Sequence, residues 1–150
     1  MATFISHSPA ETGTLGERWG RSAQRGLVIG LSGDLGAGKT QLVKGLARGL
    51  GIPARVHSPT FALVNEYGGG RLPLAHLDVY RLENEAQIVA AGLESYLQTT
   101  GVTVIEWAEK WFGGSAPELR VPRGRAQYRW VSIELLGEME RQITYEDLGD

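Results

Sequence analysis

The alternation of apolar and polar positions first picks out the strands. The apolar run at 27–31 predicts a strand, and the short β-branched run at 102–105 predicts a fully buried parallel strand. Two further stretches, Phe61–Tyr67 and Leu72–Val79, predict a hairpin closed by Gly68-Gly69-Gly70. These four stretches place a set of strands between residues 27 and 105.

Helical patterns alternate with these strands. Apolar residues at helical spacing predict a helix over 11–25, and another is predicted over 39–50. The second helix is expected to stop at Gly51-Ile52-Pro53, because glycine followed by proline ends helices. The composition of 83–98 is also helical, and Gly101 marks its end.

The two ends of the chain have weaker patterns. Phe4-Ile5 predicts a short edge strand, and 118–121 with 127–136 predicts a second hairpin around Pro122-Arg123-Gly124-Arg125. The stretch from Glu138 to Asp150 is polar and is expected to fray.

Composition limits the possible classes of protein. The 150 residues are 42% hydrophobic and 21% charged, which suits one globular domain with a real core. A formal net charge of −2 disfavours tight, direct nucleic-acid binding. Without cysteine there are no disulfides or thiolate metal sites. Since the N-terminus has no leader pattern and no run could cross a bilayer, we expect a cytoplasmic protein.

One stretch, Gly33–Thr40, has the G-x-x-x-x-G-K-[ST] spacing of a phosphate-binding loop. Its glycines bring backbone N–H groups against phosphate oxygens, and the dipole of the following helix favours the same anion. Lys39 is expected to reach the β- and γ-phosphates and the Thr40 hydroxyl to coordinate Mg²⁺. A glycine-rich turn before an ordinary helix is disfavoured, because the motif and both flanks agree. The chain is therefore predicted to bind a nucleoside triphosphate.

Two carboxylates come at the ends of strand-like runs. Asp78 is either a metal-site carboxylate or the cap of the next helix. Glu106 follows a buried run, where an acid is costly unless it binds metal or is hydrogen-bonded. We expect Glu106 to hold or orient the Mg²⁺ shell or to polarise the attacking water. His76 alternates to the face of Asp78, where a packed or supporting histidine is favoured over a metal ligand.

A Ser58-Pro59-Thr60 bend follows the predicted phosphate-loop helix. Pro59 cannot lie in a central strand, so this segment joins two extended pieces. It is either a structural turn or a switch whose hydroxyls sense Mg²⁺ or the γ-phosphate.

Together, these motifs resemble the bacterial TsaE (YjeE) family, the ATPase of tRNA threonylcarbamoyladenosine biosynthesis. The resemblance covers roughly Pro9 to Leu136 and includes the order and spacing of the motifs. The motifs that carry it are Gly33–Thr40, Ser58-Pro59-Thr60-Phe61, His76–Leu82, Gly92–Leu97, Ile105–Glu109, and Thr12 with Leu15-Gly16.

The resemblance implies an α/β fold: a single P-loop NTPase domain over 1–150, with a mixed, mostly parallel sheet flanked by helices. Its core would span about 9–136, with a mobile C-terminal tail. It also implies TsaD and TsaB proteins as partners, which modify the adenosine beside the anticodon of ANN-decoding tRNAs. Mg²⁺-dependent ATP hydrolysis, weak in the isolated chain and stimulated by partners, would reset that complex. Contact with tRNA would be indirect.

The resemblance further implies residue roles. Thr40 and Glu106 would hold Mg²⁺, and Asp78 would act in the metal shell or position water. With Lys39, these two carboxylates form the predicted catalytic set. Nucleotide-binding roles fall on Pro9, Thr12, Gly36, Ala37, Gly38, Lys39, Thr40, Gln41 and Trp130, of which Pro9, Thr12 and Trp130 would border the adenine.

Two other functions use the same loop. A small-molecule kinase would need an arginine-rich lid and an acceptor pocket. The arginines are scattered, and the largest close group is Arg120, Arg123, Arg125 and Arg129. A nucleotide-binding scaffold would hydrolyse nothing.

Overall fold

A computed structural model describes residues 2–33, 38–53, 55–56, 59, 63–112 and 127–148. The strands are β1 Ala2–Ser6, β2 Leu27–Gly33, β3 Val64–Tyr67, β4 Leu74–Asp78, β5 Val102–Glu106, β6 Gln127–Leu135 and β7 Arg141–Leu148. The helices are α1 Pro9–Ser22, α2 Lys39–Gly49, α3 Glu85–Ala90, a 3₁₀ helix at Leu93–Gln98, and α4 Glu109–Phe112.

The seven strands form one mixed sheet in the order β1-β7-β6-β2-β5-β4-β3. The central strands β6, β2, β5 and β4 are parallel, whereas β7, β1 and β3 each pair antiparallel with a neighbour. Apolar runs fill the parallel centre because helices cover both of its faces. The α/β fold with a mixed, mostly parallel sheet is thus confirmed.

Successive residues of a strand point to opposite faces of the sheet, which separates two hydrophobic clusters. On β2, Leu27, Ile29 and Leu31 pack with α1 and α2, whereas Val28 packs with α3, the 3₁₀ helix and α4. We call these sides the α1/α2 face and the α3/α4 face. On β5, Val102 and Val104 belong to the α1/α2 face and Ile105 to the opposite one.

Helices α1 and α2 cross at a line of glycines. A Cβ on Gly16 would overlap the Leu42 carbonyl oxygen, and one on Gly45 would overlap the Gly13 carbonyl oxygen. The two backbones therefore touch directly, and only glycine fits at these positions. Helix α1 is started by Ser8, whose side chain accepts a hydrogen bond from the Glu11 amide, with Pro9 in the first turn.

Three sequence predictions differ from the structure. The helix predicted over 83–98 is broken into α3 and the 3₁₀ helix at Gly92, whose φ of 80° no α-helix accommodates. Helix α4 was not predicted. The polar stretch expected to fray contains β7, because Ile143 is buried while the residues beside it are only partly covered. The predicted strand 118–121 lies outside the described residues.

Candidate nucleotide site

The carboxyl ends of the parallel strands meet at one edge of the sheet. There, Gly33 ends β2, Asp78 ends β4 and Glu106 ends β5. Asp78 lies beside Glu106 in the register of β4 and β5, and Glu106 lies beside Leu31 of β2. In open α/β sheets, ligands bind at this edge. The two predicted carboxylates are therefore brought together, next to the start of the phosphate-loop motif.

Helix α2 begins at this edge with Lys39, directly after Gly38. Gly38 has φ 93°, a left-handed conformation that favours glycine, and no side chain caps the helix. Thr40 and Gln41 are half-buried in the first turn, which contains no acidic residue. The positive end of the α2 dipole thus faces the edge where the motif predicts phosphate. The predicted loop residues Gly36 and Ala37 lie outside the described residues.

The Lys39 side chain is buried and folded back over the site. Its Nζ donates a hydrogen bond to the Gly33 carbonyl oxygen at 3.1 Å. The same ammonium lies 3.5 Å from the ring centroid of Trp107, a cation–π contact. Lys39 is 5% exposed, and its positive charge lowers the pKa of Asp78. An incoming phosphate would compete for the same ammonium.

Trp107 has an unusual backbone. Its φ is 63°, and among the described residues other than glycine it alone has a positive φ. Such a conformation is rare for a bulky side chain and is found mainly where function requires it. The turn places the indole between Lys39 and Tyr80, whose ring centroid lies 4.9 Å away. Trp107 therefore covers the lysine at the site instead of packing wholly in the core.

Asp78 is half-buried. Its Oδ1 accepts a hydrogen bond from the Tyr80 amide at 2.9 Å, the local turn expected of an aspartate at a strand end. Burial raises the pKa of Asp78 above its ordinary value, and the negative charge of Glu106 raises it further, against the lowering effects of the Tyr80 amide, His76 and Lys39. Asp78 caps its own turn and shares an electrostatic environment with Glu106.

Glu106 is 4% exposed and hydrogen-bonded to a buried histidine. His76 Nε2 and Glu106 Oε2 are 2.5 Å apart. Both side chains lie on the α1/α2 face. His76 follows Leu74 by two residues and Glu106 follows Val104 by two residues, and residues two apart on a strand share a face. His76, expected from the sequence to be a packed or supporting histidine, thus contacts Glu106.

The start of α1 reaches the same edge of the sheet. Ser6, at the end of β1, is fully buried, and its hydroxyl lies 2.7 Å from the hydroxyl of buried Thr12. Pro9 is exposed in the first turn of α1. Pro9 and Thr12 therefore lie at the edge of the sheet where α2 also begins.

Arg141 lies near the candidate site and was not singled out from the sequence. It begins β7 in register with Ser6 of β1, and a Cβ built on Gly38 would lie 4.0 Å from its Nε. Its Nη1 donates to the carbonyl oxygens of Gly137, Glu138 and Glu140, at 3.2, 3.2 and 3.0 Å. Within the described ranges it forms no ion pair. The turn thus fixes a cation beside the phosphate-loop motif.

Trp130 lies on the other face of the sheet. It packs with the α3/α4 cluster, and its ring centroid is 6.4 Å from that of Phe112. The structure therefore does not bring it together with Pro9 and Thr12, which begin a helix on the α1/α2 face. Ser58 and Thr60 of the predicted switch lie outside the described residues.

The residues at this edge fit a magnesium–nucleotide complex better than a metal bound by protein alone. No group of three or more histidines, cysteines or acids suited to a metal occurs in the described ranges. The hydroxyl of Thr40 and one or two carboxylates are oxygen donors of the kind that Mg²⁺ takes together with substrate phosphates and water.

Among the described helices, none is long and apolar enough to cross a membrane.

The fold and this edge together define the class of the protein. A buried parallel strand, a G-x-x-x-x-G-K-T stretch and a helix that begins at its lysine form the strand–loop–helix unit of P-loop proteins.

Comparisons with known proteins give the family. The family model described as "Threonylcarbamoyl adenosine biosynthesis protein TsaE" matches residues 6–143. A relative from Bacillus subtilis (strain 168), named tRNA threonylcarbamoyladenosine biosynthesis protein TsaE, is 41% identical over 95% of this chain and 84% of its own. A relative of the same name from Treponema pallidum is 41% identical over 93% and 96%, respectively. The chain belongs to the TsaE family.

A solved structure agrees with the fold. The crystal structure of YdiB from Bacillus subtilis superposes with a TM-score of 0.74 at 35% identity, covering 96% of this chain and 83% of that one. The match extends beyond the resemblance predicted from 9–136 and takes in both ends of the chain.

Proposed function

We propose that this chain is the ATP-binding and ATP-hydrolysing subunit of the machinery that makes N6-threonylcarbamoyladenosine in tRNA. The observation that carries the proposal is the edge of the sheet where Lys39, Asp78 and Glu106 meet. Membership in a family whose named relatives act in this biosynthesis supplies the pathway.

The proposed mechanism follows from the charges at this edge. Backbone amides of the phosphate-loop motif at 36–41 and the Lys39 ammonium would bind the β- and γ-phosphates. The Thr40 hydroxyl and Glu106 would hold Mg²⁺, which neutralises phosphate charge when bound. Asp78, whose pKa is raised by burial, would accept a hydrogen bond from the attacking water. Catalysis is then mostly positioning and charge neutralisation.

Assignments beyond the described contacts are part of the same proposal. The whole chain, 1–150, would act as one cytoplasmic P-loop domain, with Pro9 and Thr12 bordering the adenine and Ser58 and Thr60 in a switch loop. ATP hydrolysis would reset a complex of TsaD and TsaB proteins, with tRNA reached only through them. We expect slow hydrolysis by the isolated chain and faster hydrolysis in the complex.

The decisive experiment replaces Glu106 by Gln. This substitution keeps the shape and a hydrogen-bonding oxygen but removes the charge that would hold Mg²⁺. We expect ADP binding without Mg²⁺ to be retained and ATP hydrolysis to fall by roughly 100-fold or more, in line with the loss of one strong electrostatic contact in a catalytic site. Single-turnover hydrolysis and calorimetric ADP binding measure the two effects.

Glu94→Gln is a matched control, since Glu94 is exposed in the 3₁₀ helix on the α3/α4 face. Unchanged hydrolysis in Glu106→Gln would remove Glu106 from the mechanism. Absence of any ATP turnover by the unmodified protein, with or without TsaD and TsaB, would favour a nucleotide-binding scaffold.

A further inference from the structure

We infer that His76 is a positioning residue that fixes one oxygen of the Glu106 carboxylate, so that the other faces the nucleotide site. The inference rests on the proposed function, because it matters only if Glu106 serves Mg²⁺-dependent hydrolysis. His76 itself would touch neither nucleotide nor metal.

The contact follows from the register of the sheet. His76 pairs with Val104 across β4 and β5, and Glu106 is two residues farther along β5 on the same face. This diagonal brings His76 Nε2 to 2.5 Å from Glu106 Oε2. Because a carboxylate accepts and does not donate, the imidazole tautomer that satisfies it carries the hydrogen on Nε2.

The contact controls a group that is otherwise free to rotate. The terminal torsion of a glutamate is broad, so a carboxylate without a fixed donor samples many orientations. Glu106 is 4% exposed, and its described hydrogen bond is the one from His76 through Oε2. The His76 contact thus fixes Oε2, which leaves Oε1 as the oxygen for the proposed contact with Mg²⁺.

The surroundings of His76 argue against a purely structural role. His76 is fully buried, and its Nδ1 has no hydrogen-bond partner in the described part of the chain. Burying an unpaired polar atom is costly, and a leucine would fill the same apolar position without that cost. The bond to Glu106 is what the imidazole adds. Donors behind metal-binding carboxylates and histidines orient them in the same way in other proteins.

The test uses a pair of variants that differ in where the donor lies. In His76→Gln the amide nitrogen reaches the position of Nε2, whereas in His76→Asn it reaches that of Nδ1. The Gln variant is expected to keep the bond to Glu106 and the Asn variant to lose it, although both carry the same polar group. His76→Leu removes the donor while keeping an apolar fit, and thermal unfolding shows which variants are folded.

We expect the Asn and Leu variants to lose kcat and to need more Mg²⁺ for half-saturation, each by roughly 10- to 100-fold. The KM for ATP and the Mg²⁺-free affinity for ADP should stay unchanged, because His76 does not contact the nucleotide. The Gln variant should stay close to the unmodified protein. Calorimetry of Mg²⁺ binding to the ADP-loaded protein gives a readout separate from activity and should show the same order.

Two outcomes overturn the inference, and both leave the proposed function separately testable. Equal Mg²⁺ affinity and kcat in the Gln and Asn variants would show that the donor position does not matter. A parallel loss of ADP affinity and stability in all three variants would assign His76 to packing. The proposed function is refuted if the unmodified protein turns over no ATP, with or without TsaD and TsaB. Normal hydrolysis in Glu106→Gln would remove Glu106 from the mechanism and, with it, the role of His76. Loss of hydrolysis in Glu106→Gln together with equal His76→Gln and His76→Asn variants would refute only the role of His76.

Discussion

The two faces of the sheet are built differently. The α1/α2 face is covered by helices of 14 and 11 residues that cross backbone to backbone at glycines. The α3/α4 face is covered by helices of 6 and 4 residues and a 3₁₀ helix of 6 residues, with large aromatic side chains between them. Helices this short have little stability of their own and depend on tertiary packing.

The groups that we propose as functional follow this division. Lys39, His76, Asp78, Glu106 and Arg141 all belong to the α1/α2 face or to the helix that begins on it. A site that must hold phosphates in a fixed geometry gains from the face with direct backbone contact, because such a contact cannot slide without overlap. The α3/α4 face contributes Trp107, in a strained turn, as the cover of Lys39.

The strongest test of the comparison is Gly45→Ala. An added Cβ would overlap the Gly13 carbonyl oxygen, so α1 and α2 must separate. We expect the free energy of unfolding to fall by at least about 2 kcal/mol, even though alanine favours helix more than glycine. Urea unfolding measures the change. Gly68→Ala is the control, since its Cβ would meet nothing within 4 Å. Equal stability of the two variants would show that the glycine contact is not the source of the rigidity.

The next effect is expected at the edge itself, from Arg141→Ala. Removing a cation beside Gly38 should weaken ADP binding roughly tenfold or more, because hydrogen bonds to charged groups contribute about 1.5–3 kcal/mol. Calorimetric titration with ADP measures it.

Arg129→Ala is the matched control for Arg141. Arg129 lies near the opposite end of β6 and pairs with Asp147, so ADP affinity should stay unchanged. Equal affinities of the unmodified protein and Arg141→Ala would place Arg141 in the hairpin turn only.

A smaller effect is expected on the α3/α4 face, from Tyr128→Phe. The Tyr128 hydroxyl is buried without a hydrogen-bond partner among the described residues, and burial raises its pKa to about 12. Removing an unsatisfied hydroxyl should raise the free energy of unfolding by about 1 kcal/mol near pH 8.

The same tyrosine gives a pH signature. Burial favours the neutral phenol over the phenolate in the folded protein. Ionisation of Tyr128 therefore does not lower the free energy of unfolding below the ordinary pKa of 10.0, and it lowers this free energy as the pH rises from there to about 12. Urea unfolding at pH 8 and pH 11 should show a steeper alkaline loss for the unmodified protein than for Tyr128→Phe. Parallel losses would contradict a buried, neutral phenol.

The smallest effect is expected from Asp147→Asn. The hydrogen bond from Arg129 lowers the pKa of Asp147, so its stabilisation is present above the ordinary value of 3.8 and is lost as pH falls through the lower folded value. Its side chain is 63% exposed, and exposed pairs contribute at most about 1 kcal/mol. Acid unfolding between pH 5 and pH 2 measures it; a larger loss would mean that this pair supports the β6–β7 ladder.

Local patterns were enough for the buried strands β2 and β5 and for Lys39, Asp78 and Glu106 at the edge of the sheet. They did not predict that β6 pairs in parallel with β2. Strands 27–31 and 102–105 are continuous apolar runs, and the phosphate-loop motif has a spacing that few other structures require. The break at Gly92 was missed because the residues on both sides of it have helical composition. Strand β7 was missed because its polar composition hid the alternation around Ile143.

Contacts between distant parts of the chain could not be predicted in the same way. The proximity of Arg141 to Gly38 depends on β7 lying between β1 and β6, which no local pattern reports. The face on which Trp130 lies likewise depends on how β6 is aligned with β2, which the sequence of β6 alone does not show. His76 was placed on the face of Asp78, yet its bond to Glu106 required the register of β4 and β5.

Strand β7 has a practical consequence for anyone who shortens this protein. Removing the residues from Arg141 onward would deprive β1 of its pairing partner and leave β6 as an open border prone to self-association. It would also take a positive charge away from the glycine that precedes Lys39. If a shortened protein fails to bind ADP, we would attribute the loss to removal of β7 from beside the candidate site, and not to the loss of an accessory tail.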